Sequence, residues 1–290
     1  MTNYAGSQHQ TRVARPPKST ARLCRPNLQC RPRRQSGRLT VNVCHVYPYE
    51  VADGPKNMAL DEALLDAVGT GQPRILLRTY GWSVPTLSLG YFQSLALVRA
   101  NSRWSSVAIV RRLTGGGAIW HHHELTYALA VPREHRLARP GAQLYQAVHA
   151  SIVRGLVAFG IRADTRGEVF PPAGCERSRP LLCFTDRSAE DILLDGTKIV
   201  GSAQRRRGGA VLQHGSVLLE RSCQTPELSG LCDVADVSAD PSEWSGRLVE
   251  WIGKAVAQHT QADFIPDAIR SHASDRESSR YRDPAWTGIR

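Results

Sequence analysis

Three groups of residues in this sequence have the types and spacing to do chemistry together. The first is Arg111-Arg112-Leu113-Thr114-Gly115-Gly116-Gly117, followed after Trp120 by His121, His122, His123 and Glu124. Consecutive glycines permit positive φ and leave no Cβ between the main chain and a ligand. Two guanidinium groups add charge-assisted donors, and the imidazoles add groups that titrate near neutrality. A triple glycine alone is equally a glycine-rich hairpin; the Arg, Thr, His and Glu around it turn the reading toward a binding site. The second group is Lys198, flanked by Gly196, Ile199, Val200 and Gly201. From a strand edge it can project into a pocket and hold an acyl carbonyl or a phosphate, although a lysine so placed is most often simply solvated. The third is Cys183, between Leu182 and Phe184. Apolar flanks describe an inert buried thiol, whereas a cation close by would produce the thiolate that acyl transfer needs. Cys24 and Cys30 lie in the leader, and Cys44, Cys175, Cys223 and Cys232 lack comparable surroundings.

The elements that must position these residues can be read from periodicity. Val107 to Val110 reads as a buried strand before the glycine segment, and Leu125 to Val131 as another after it. Leu39 to Val46 alternates like an edge strand. Lys56 to Val68 carries Met58, Ala59, Leu60, Ala63, Leu64, Ala67 and Val68 on one broad helical face, with Asn57 as N-cap and Gly69 or Gly71 as stop. Arg74 to Tyr80 and Thr86 to Tyr91 read as strands, and Gly141 to Phe159 as a helix. Arg166 to Arg179 is an irregular excursion. Ala189 to Asp195 is a strand, Gly196 a turn, Thr197 to Gln204 a strand, Arg205 to Gly209 a basic turn and Ala210 to Leu219 a strand. Pro226 to Cys232 reads as a loop and Pro241 to Gln258 as a helix. Strands and helices mix without a regular βαβ alternation, which predicts an α+β fold.

The chain has 290 residues, 41% of them hydrophobic and 22% charged, an ordinary globular balance with ample material for a core. No apolar run reaches the length of a membrane span. The net charge of +11 suggests nucleic acid until it is divided along the chain. Nine of the 37 Lys and Arg fall in residues 1–38, which hold no acid, leaving 28 basic against 26 acidic residues elsewhere. The basic character therefore belongs to an Arg/Pro-rich extension that should be disordered. Its composition resembles a transit peptide, but Pro16, Pro17, Pro26 and Pro32 oppose the amphipathic helix such a peptide needs. It lacks the apolar region of a secretory signal, and reads equally as a mistaken upstream start or a solvated extension. Seven cysteines without a CxxC pair argue against a disulfide scaffold or zinc site and for a reducing cytoplasm. The expected organisation is an extension over 1–38, a catalytic domain over 39–270 and a loose polar tail over 271–290.

Taken in order, Asn57 to Leu64, Arg78 to Trp82 with Pro85 to Gln93, Arg111 to Tyr127, and Lys198 to Gln204 with Gln213 to Ser216 resemble the biotin/lipoate protein ligase catalytic family, in particular its lipoate-ligase and octanoyltransferase members. The likeness covers roughly Leu39 to Leu219. It implies a mixed, largely antiparallel sheet with packed helices, and a tunnel for a medium-chain acyl group lined by Arg111, Arg112, Gly115, Gly116, Gly117, Gly201, Ser202 and Ala203. It implies contact of Lys198 with the acyl carbonyl. The family's single histidine falls on His121, since His122 and His123 depart from the pattern. Two chemistries divide the family: ligases adenylate a free acid with ATP, while a cysteine branch takes octanoyl from a carrier through a thioester. Pro180 to Phe184 resembles the Cys-Phe segment of the cysteine branch, and the residues after Leu219 leave little room for the extra domain of long ligases.

The resemblance thus implies an octanoyltransferase of lipoate biosynthesis. Octanoyl would pass from acyl carrier protein to Cys183, and then to a lysine of a lipoyl-carrier domain. Backbone N–H groups around Gly115 to Gly117 and the Lys198 ammonium would stabilise the oxyanion. No metal or other cofactor is expected; ATP and Mg enter only under the ligase alternative. The base that activates the thiol stays open between His121 and His214. Other readings are an amidotransferase between lipoyl domains, a non-catalytic lipoyl-domain binder, and a nucleic-acid binder acting through the arginine extension.

Overall fold

A computed structural model describes residues 42–71, 74–167, 181–185 and 188–290. The extension over 1–38, most of the irregular excursion and Pro180 lie outside the described residues. Strands β1 (Val43–Val46) and β2 (Glu50–Ala52) precede helix α1 (Gly54–Thr70), after which come β3 (Ile75–Trp82), β4 (Thr86–Leu89), α2 (Leu95–Arg99) and β5 (Ala108–Arg111). Then follow β6 (Ile119–His121), β7 (Glu124–Pro132), α3 (Gln143–Ala158), β8 (Ala163–Thr165), β9 (Ile192–Leu194), β10 (Thr197–Arg207) and β11 (Ala210–Leu218). The chain continues through α4 (Leu231–Val234), α5 (Pro241–Val256), β12 (His259–Ala262), α6 (Asp267–Arg276), a π-helical turn (Glu277–Tyr281) and α7 (Pro284–Thr287).

Among the described residues the main sheet runs β12-β1-β3-β7-β11-β10-β9-β8, with β2 also on β3, and a smaller sheet runs β5-β4-β6. Pairing from β3 through β8 is antiparallel, while β1, β2 and β12 join in parallel. The fold is therefore α+β with a mixed, largely antiparallel sheet. Both faces of that sheet are covered, which is why β7 and β11 are buried along their whole length instead of alternating. Ile75, Leu77, Tyr127, Leu129 and Val131 pack toward α3 and α5 with Val148, Ile152, Leu248 and Ile252. Leu76, Ala128, Ala130 and Leu212 pack toward α1 with Leu60, Leu64 and Leu65. The small side chains at 128 and 130 let α1 lie close to the sheet. That brings the polar residues of its buried face, Asn57, Asp61 and Glu62, to the strands.

Several sequence expectations are corrected here. Strand β1 is not at the edge, because β12 pairs outside it in parallel register. The cap of α1 is Asp53, whose side chain accepts from the Lys56 N–H; Asn57 lies inside the helix and donates to the Ala52 and Gly81 carbonyls at 3.0 Å each. The strand over 107–110 is only partly buried, being the outer strand of the small sheet. Strand β10 continues through Arg207, so the basic turn shrinks to Gly208-Gly209. The segment Ser271 to Arg290, read as a loose tail, is helical: α6 packs on α1, and Tyr281 is buried with its hydroxyl donating to Glu62 at 2.8 Å.

Candidate active site

The short segment carrying Cys183 is held beside the glycine loop by main-chain bonds. The Ala118 N–H donates to the Leu181 carbonyl at 2.8 Å, and the Cys183 N–H donates back to the Ala118 carbonyl at 2.7 Å. Gln93 adds an amide bond to the Leu181 carbonyl at 3.0 Å. Gly117 is required by this approach, since a Cβ there would stand 2.8 Å from the Cys183 nitrogen and 3.0 Å from its Cα. Gly116 has φ +91°, a left-handed conformation that side chains with a Cβ rarely adopt. Arg112, fully buried, holds the loop from within: it donates to the carbonyls of Gly115 (2.9 Å), Gly117 (2.6 Å) and Ser88 (2.9 Å) and to Thr114 Oγ1 (3.0 Å). Burial pulls its pKa down to about 10, against the opposing pull of the Cys183 and Tyr80 charges, so it stays a cation.

Lys198 comes to Cys183 from β10. Its Nζ lies 2.9 Å from the Cys183 carbonyl oxygen, 3.9 Å from Sγ and 5.2 Å from the centre of the Phe184 ring. It also pairs with Asp191 Oδ2 at 2.9 Å, and both side chains are almost wholly shielded from water. Cys183 further packs against Ile119, Phe184 and Leu218. The thiol and the lysine that the sequence singled out separately thus share one place, and an acid that it did not single out joins them.

Next to the loop lies a recess that is partly open to solvent. Its walls include Met58, Trp82, Ile119, Ala203 and Gly215, with Arg112, His121 and His214 at its polar side. The polar side is a continuous buried network. His214 Nδ1 meets Asp61 Oδ2 at 2.9 Å and its Nε2 meets Thr114 Oγ1 at 2.7 Å. His121 Nε2 meets Ser88 Oγ at 2.8 Å, its Nδ1 meets Glu124 Oε1 at 3.2 Å, and its ring stacks on Trp82 at 3.8 Å. Burial pushes the Asp61 carboxyl up, but the Arg78 charge and the His214 hydrogen bond outweigh it and hold Asp61 below its ordinary value. Burial likewise pushes His121 down, only partly countered by Glu124. On this side of the recess burial thus favours the neutral form of His121, while its partners favour the ionised form of Asp61.

Not every residue expected at the site is gathered there. Arg111 is buried, but its guanidinium is spent on the carbonyls of Gly90, Tyr91, Gln93 and Thr287, tying α7 to the loop after β4. Ser202 turns toward α3, its hydroxyl 2.7 Å from Tyr127 Oη and 2.5 Å from His149 Nε2. Gly201 stands under the Lys198 stem. His121 and His214, the candidate bases, have both ring nitrogens engaged with groups other than the thiol. The residues missed in the sequence are Asp61, Ser88, His149 and Asp191. Asp191 carried a signal, an acid entering the apolar run Ile192-Leu193-Leu194 just before Lys198. Asp61 carried one too, on the apolar face of a helix. Among the described residues no group of three or more His, Cys, Asp or Glu is placed to hold a metal ion, and no helix is long and apolar enough to cross a membrane.

Known proteins match this arrangement at two levels. The chain is 40% identical over 177 residues to octanoyltransferase LipM of Symbiobacterium thermophilum, covering 58% of this chain and 62% of that protein. It is 34% identical over 183 residues to octanoyltransferase LipM of Clostridioides difficile, covering 61% and 65%. The matches thus span less than two thirds of these relatives. In fold, it superposes on a lipoate-protein ligase A bound with ATP with TM-score 0.65 at 21% identity, covering 85% of this chain and 99% of that one. The ligase of a bipartite system from Thermoplasma acidophilum gives TM-score 0.62 at 19% identity, covering 85% and 98%. The lipoyl protein ligase A/B catalytic domain is matched over residues 53–235, well over half of the chain, and the protein belongs to that family.

Proposed function

We propose that this protein is an octanoyltransferase of lipoate biosynthesis that works through a cysteine thioester. The observation that carries the reading is the meeting of Cys183 Sγ with Lys198 Nζ at 3.9 Å beside the glycine loop. An adenylating ligase has no use for that thiol. The relatives named octanoyltransferase, at 34–40% identity, support it.

In the first half-reaction the Cys183 thiolate attacks the carbonyl carbon of an octanoyl thioester on acyl carrier protein. The new C–S bond forms, the carrier C–S bond breaks, and the carrier leaves as a thiolate that takes a proton from solvent. In the second, a neutral lysine amine of a lipoyl-carrier domain attacks the same carbonyl. The amide forms, the amine proton is lost, and Cys183 departs as the thiolate. Both tetrahedral species carry an oxyanion, for which Lys198 supplies a fixed positive charge in a water-poor site. The aliphatic chain would occupy the recess between Met58, Trp82, Ile119 and Ala203. The chemistry as written consumes no ATP and calls for no metal.

Incubation with octanoyl acyl carrier protein, without ATP, tests this by intact mass. A protein heavier by one octanoyl group, cleared by hydroxylamine and absent in Cys183→Ala, is the expected result. Modification of an acceptor domain by Cys183→Ala with free octanoate and ATP would install the ligase reading instead. Transfer from an octanoylated lipoyl domain in place of the acyl carrier would install the amidotransferase.

A further inference from the structure

Strand β6 divides two recesses. By the alternation of a strand, Ile119 and His121 face the recess already described, while Trp120 and, just past the strand, His122 face a second one on its other side. Leu182, Phe184, Leu218 and Leu228 wall this second recess, His122 and Glu220 give it polar groups, and Ile119 borders both. Cys183 stands where the two meet, its N–H bonded to the Ala118 carbonyl and its side chain packed with Ile119, Phe184 and Leu218. We propose that the second recess receives the carrier arm of the donor, the chain of methylenes and amides that ends at the thioester sulfur, with His122 donating to an amide carbonyl of that arm. The inference rests on the cysteine-transfer reading above and deepens it.

The chemistry asks for such a place. When the Cys183 sulfur has added to the thioester, the carbonyl carbon bears four groups: the alkyl chain, the oxygen, the Cys183 sulfur and the carrier sulfur. The alkyl chain takes the first recess and the oxyanion takes the Lys198 ammonium. The carrier sulfur must point in a remaining direction, and its arm needs a passage to the surface. A recess that shares Ile119 with the first and Phe184 and Leu218 with the packing of the thiol supplies that passage. Its apolar walls suit methylenes, and Glu220, exposed at its rim, offers an acceptor to an amide N–H.

The polarity of His122 is set by its neighbours. Ser222 Oγ accepts from the Trp120 indole N–H at 2.9 Å and from the Gln224 N–H at 3.2 Å, which occupies both lone pairs of the hydroxyl. Its own proton is then left for His122 Nδ1, 3.0 Å away. An imidazole that accepts at Nδ1 carries its proton on Nε2, and among the described residues no hydrogen bond engages that N–H. The His123 ring lies 3.6 Å from that of His122 and steadies its plane. Burial, and after it the His123 charge, push the His122 pKa down and favour the same neutral form. His122 thus presents one aimed donor, which suits a carbonyl and has nothing to offer an ammonium.

Single-turnover acylation of the full chain, followed by intact mass, tests the proposal with two small donors. Octanoyl pantetheine has the arm; S-ethyl octanethioate, an alkyl thioester of similar intrinsic reactivity, lacks it. The unaltered protein should prefer octanoyl pantetheine by roughly thirtyfold or more in second-order rate constant, the scale of a hydrogen bond together with buried methylenes. His122→Phe, which keeps a ring against His123 but removes the N–H, should cut that preference by about tenfold. His122→Gln, whose amide can place an N–H near the position of Nε2, should retain most of it. Leu228→Trp, which fills the recess from its wall, should abolish it. Equal rates with the two donors in the unaltered protein, or a preference that neither His122→Phe nor Leu228→Trp moves, would overturn the proposal. So would acylation by octanoyl acyl carrier protein with none by octanoyl pantetheine. If His122→Phe does not fold, Leu228→Trp decides. A His122→Phe protein that keeps the preference, but once acylated passes octanoyl to an acceptor domain far more slowly, would assign the recess to the acceptor lysine and overturn the proposal as well. An unaltered protein that gains no octanoyl mass from any of the three donors counts against the transfer reading itself.

Discussion

A methyl group at position 117 would have to share space with the main chain of Cys183, 2.8 Å from its nitrogen. Because both partners are backbone, neither can swing aside, and the cysteine segment must move instead. Gly117→Ala is therefore expected to cut acyl transfer by tenfold or more while shifting the melting temperature by only a few degrees. Acylation at the unaltered rate would show that the loop does not set the position of the thiol. Arg112 offers the complementary test. Its planar fork serves four groups of the loop and of β4 at once, which the single ammonium of a lysine cannot do. Arg112→Lys should lower turnover by roughly a hundredfold, a scale typical of losing a preorganised group, and a loss smaller than threefold would make its role dispensable. At this scale the sequence was only partly legible. The Gly-Gly-Gly segment declared itself by type, but nothing in the neighbouring Arg111 and Arg112 says that the first ties down α7 and the second holds the loop. They stand on opposite sides of one strand end, and only the fold separates them.

At the scale of elements, α1 is where the chain after β12 comes to rest. Glu62 has no exposure at all, yet it receives Arg207, Arg280 and the Tyr281 hydroxyl, while Asp66 one turn on receives Arg207 and His272. These contacts explain why Ser271 to Arg290 looks loose as sequence and is ordered in the structure. Its few apolar residues, Ala273, Tyr281, Ala285, Trp286 and Ile289, are too sparse to announce a packed helix, and its arginines read as a solvated face until the two acids of α1 are seen opposite them. The periodic helices α1, α3 and α5 were legible because their apolar stripes reach the sheet directly. Strand β12 was not, since all four of its residues are exposed and its place depends on main-chain pairing with β1. Tyr281→Ala should remove a buried ring and one hydrogen bond of Glu62, costing roughly 3–5 kcal/mol and lowering the melting temperature by roughly 10 °C. A change under 2 °C in thermal unfolding would return this segment to the status of a tail.

For the molecule as a whole, three of the buried histidines add hydrogen bonds between layers to the apolar contacts there. His121 stands between the small sheet and β7, His149 links α3 to β10 through Ser202 and to the Glu190 carbonyl, and His135 binds the Val256 carbonyl at the end of α5. Burial pushes all three below the ordinary histidine value. The unfolded chain therefore takes up protons near pH 6.5 while the folded protein still refuses them, so protons bound are more numerous in the unfolded state. Stability is fully present above that pH and declines as the pH falls below it. Asp61, held below its ordinary carboxylate value, adds its own loss only in more acidic solution, as the pH falls below about 4. The melting temperature is expected to be level from pH 8 to 7 and to drop by several degrees between pH 6.5 and 5, with a second, steeper loss near pH 4. His149→Gln, which keeps a neutral hydrogen-bonding group in place of the imidazole, should flatten the first decline by about a third. An unaltered protein whose melting temperature stays constant from pH 7 to 5 would mean that water reaches these imidazoles, and that the layers around the site are looser than their packing indicates.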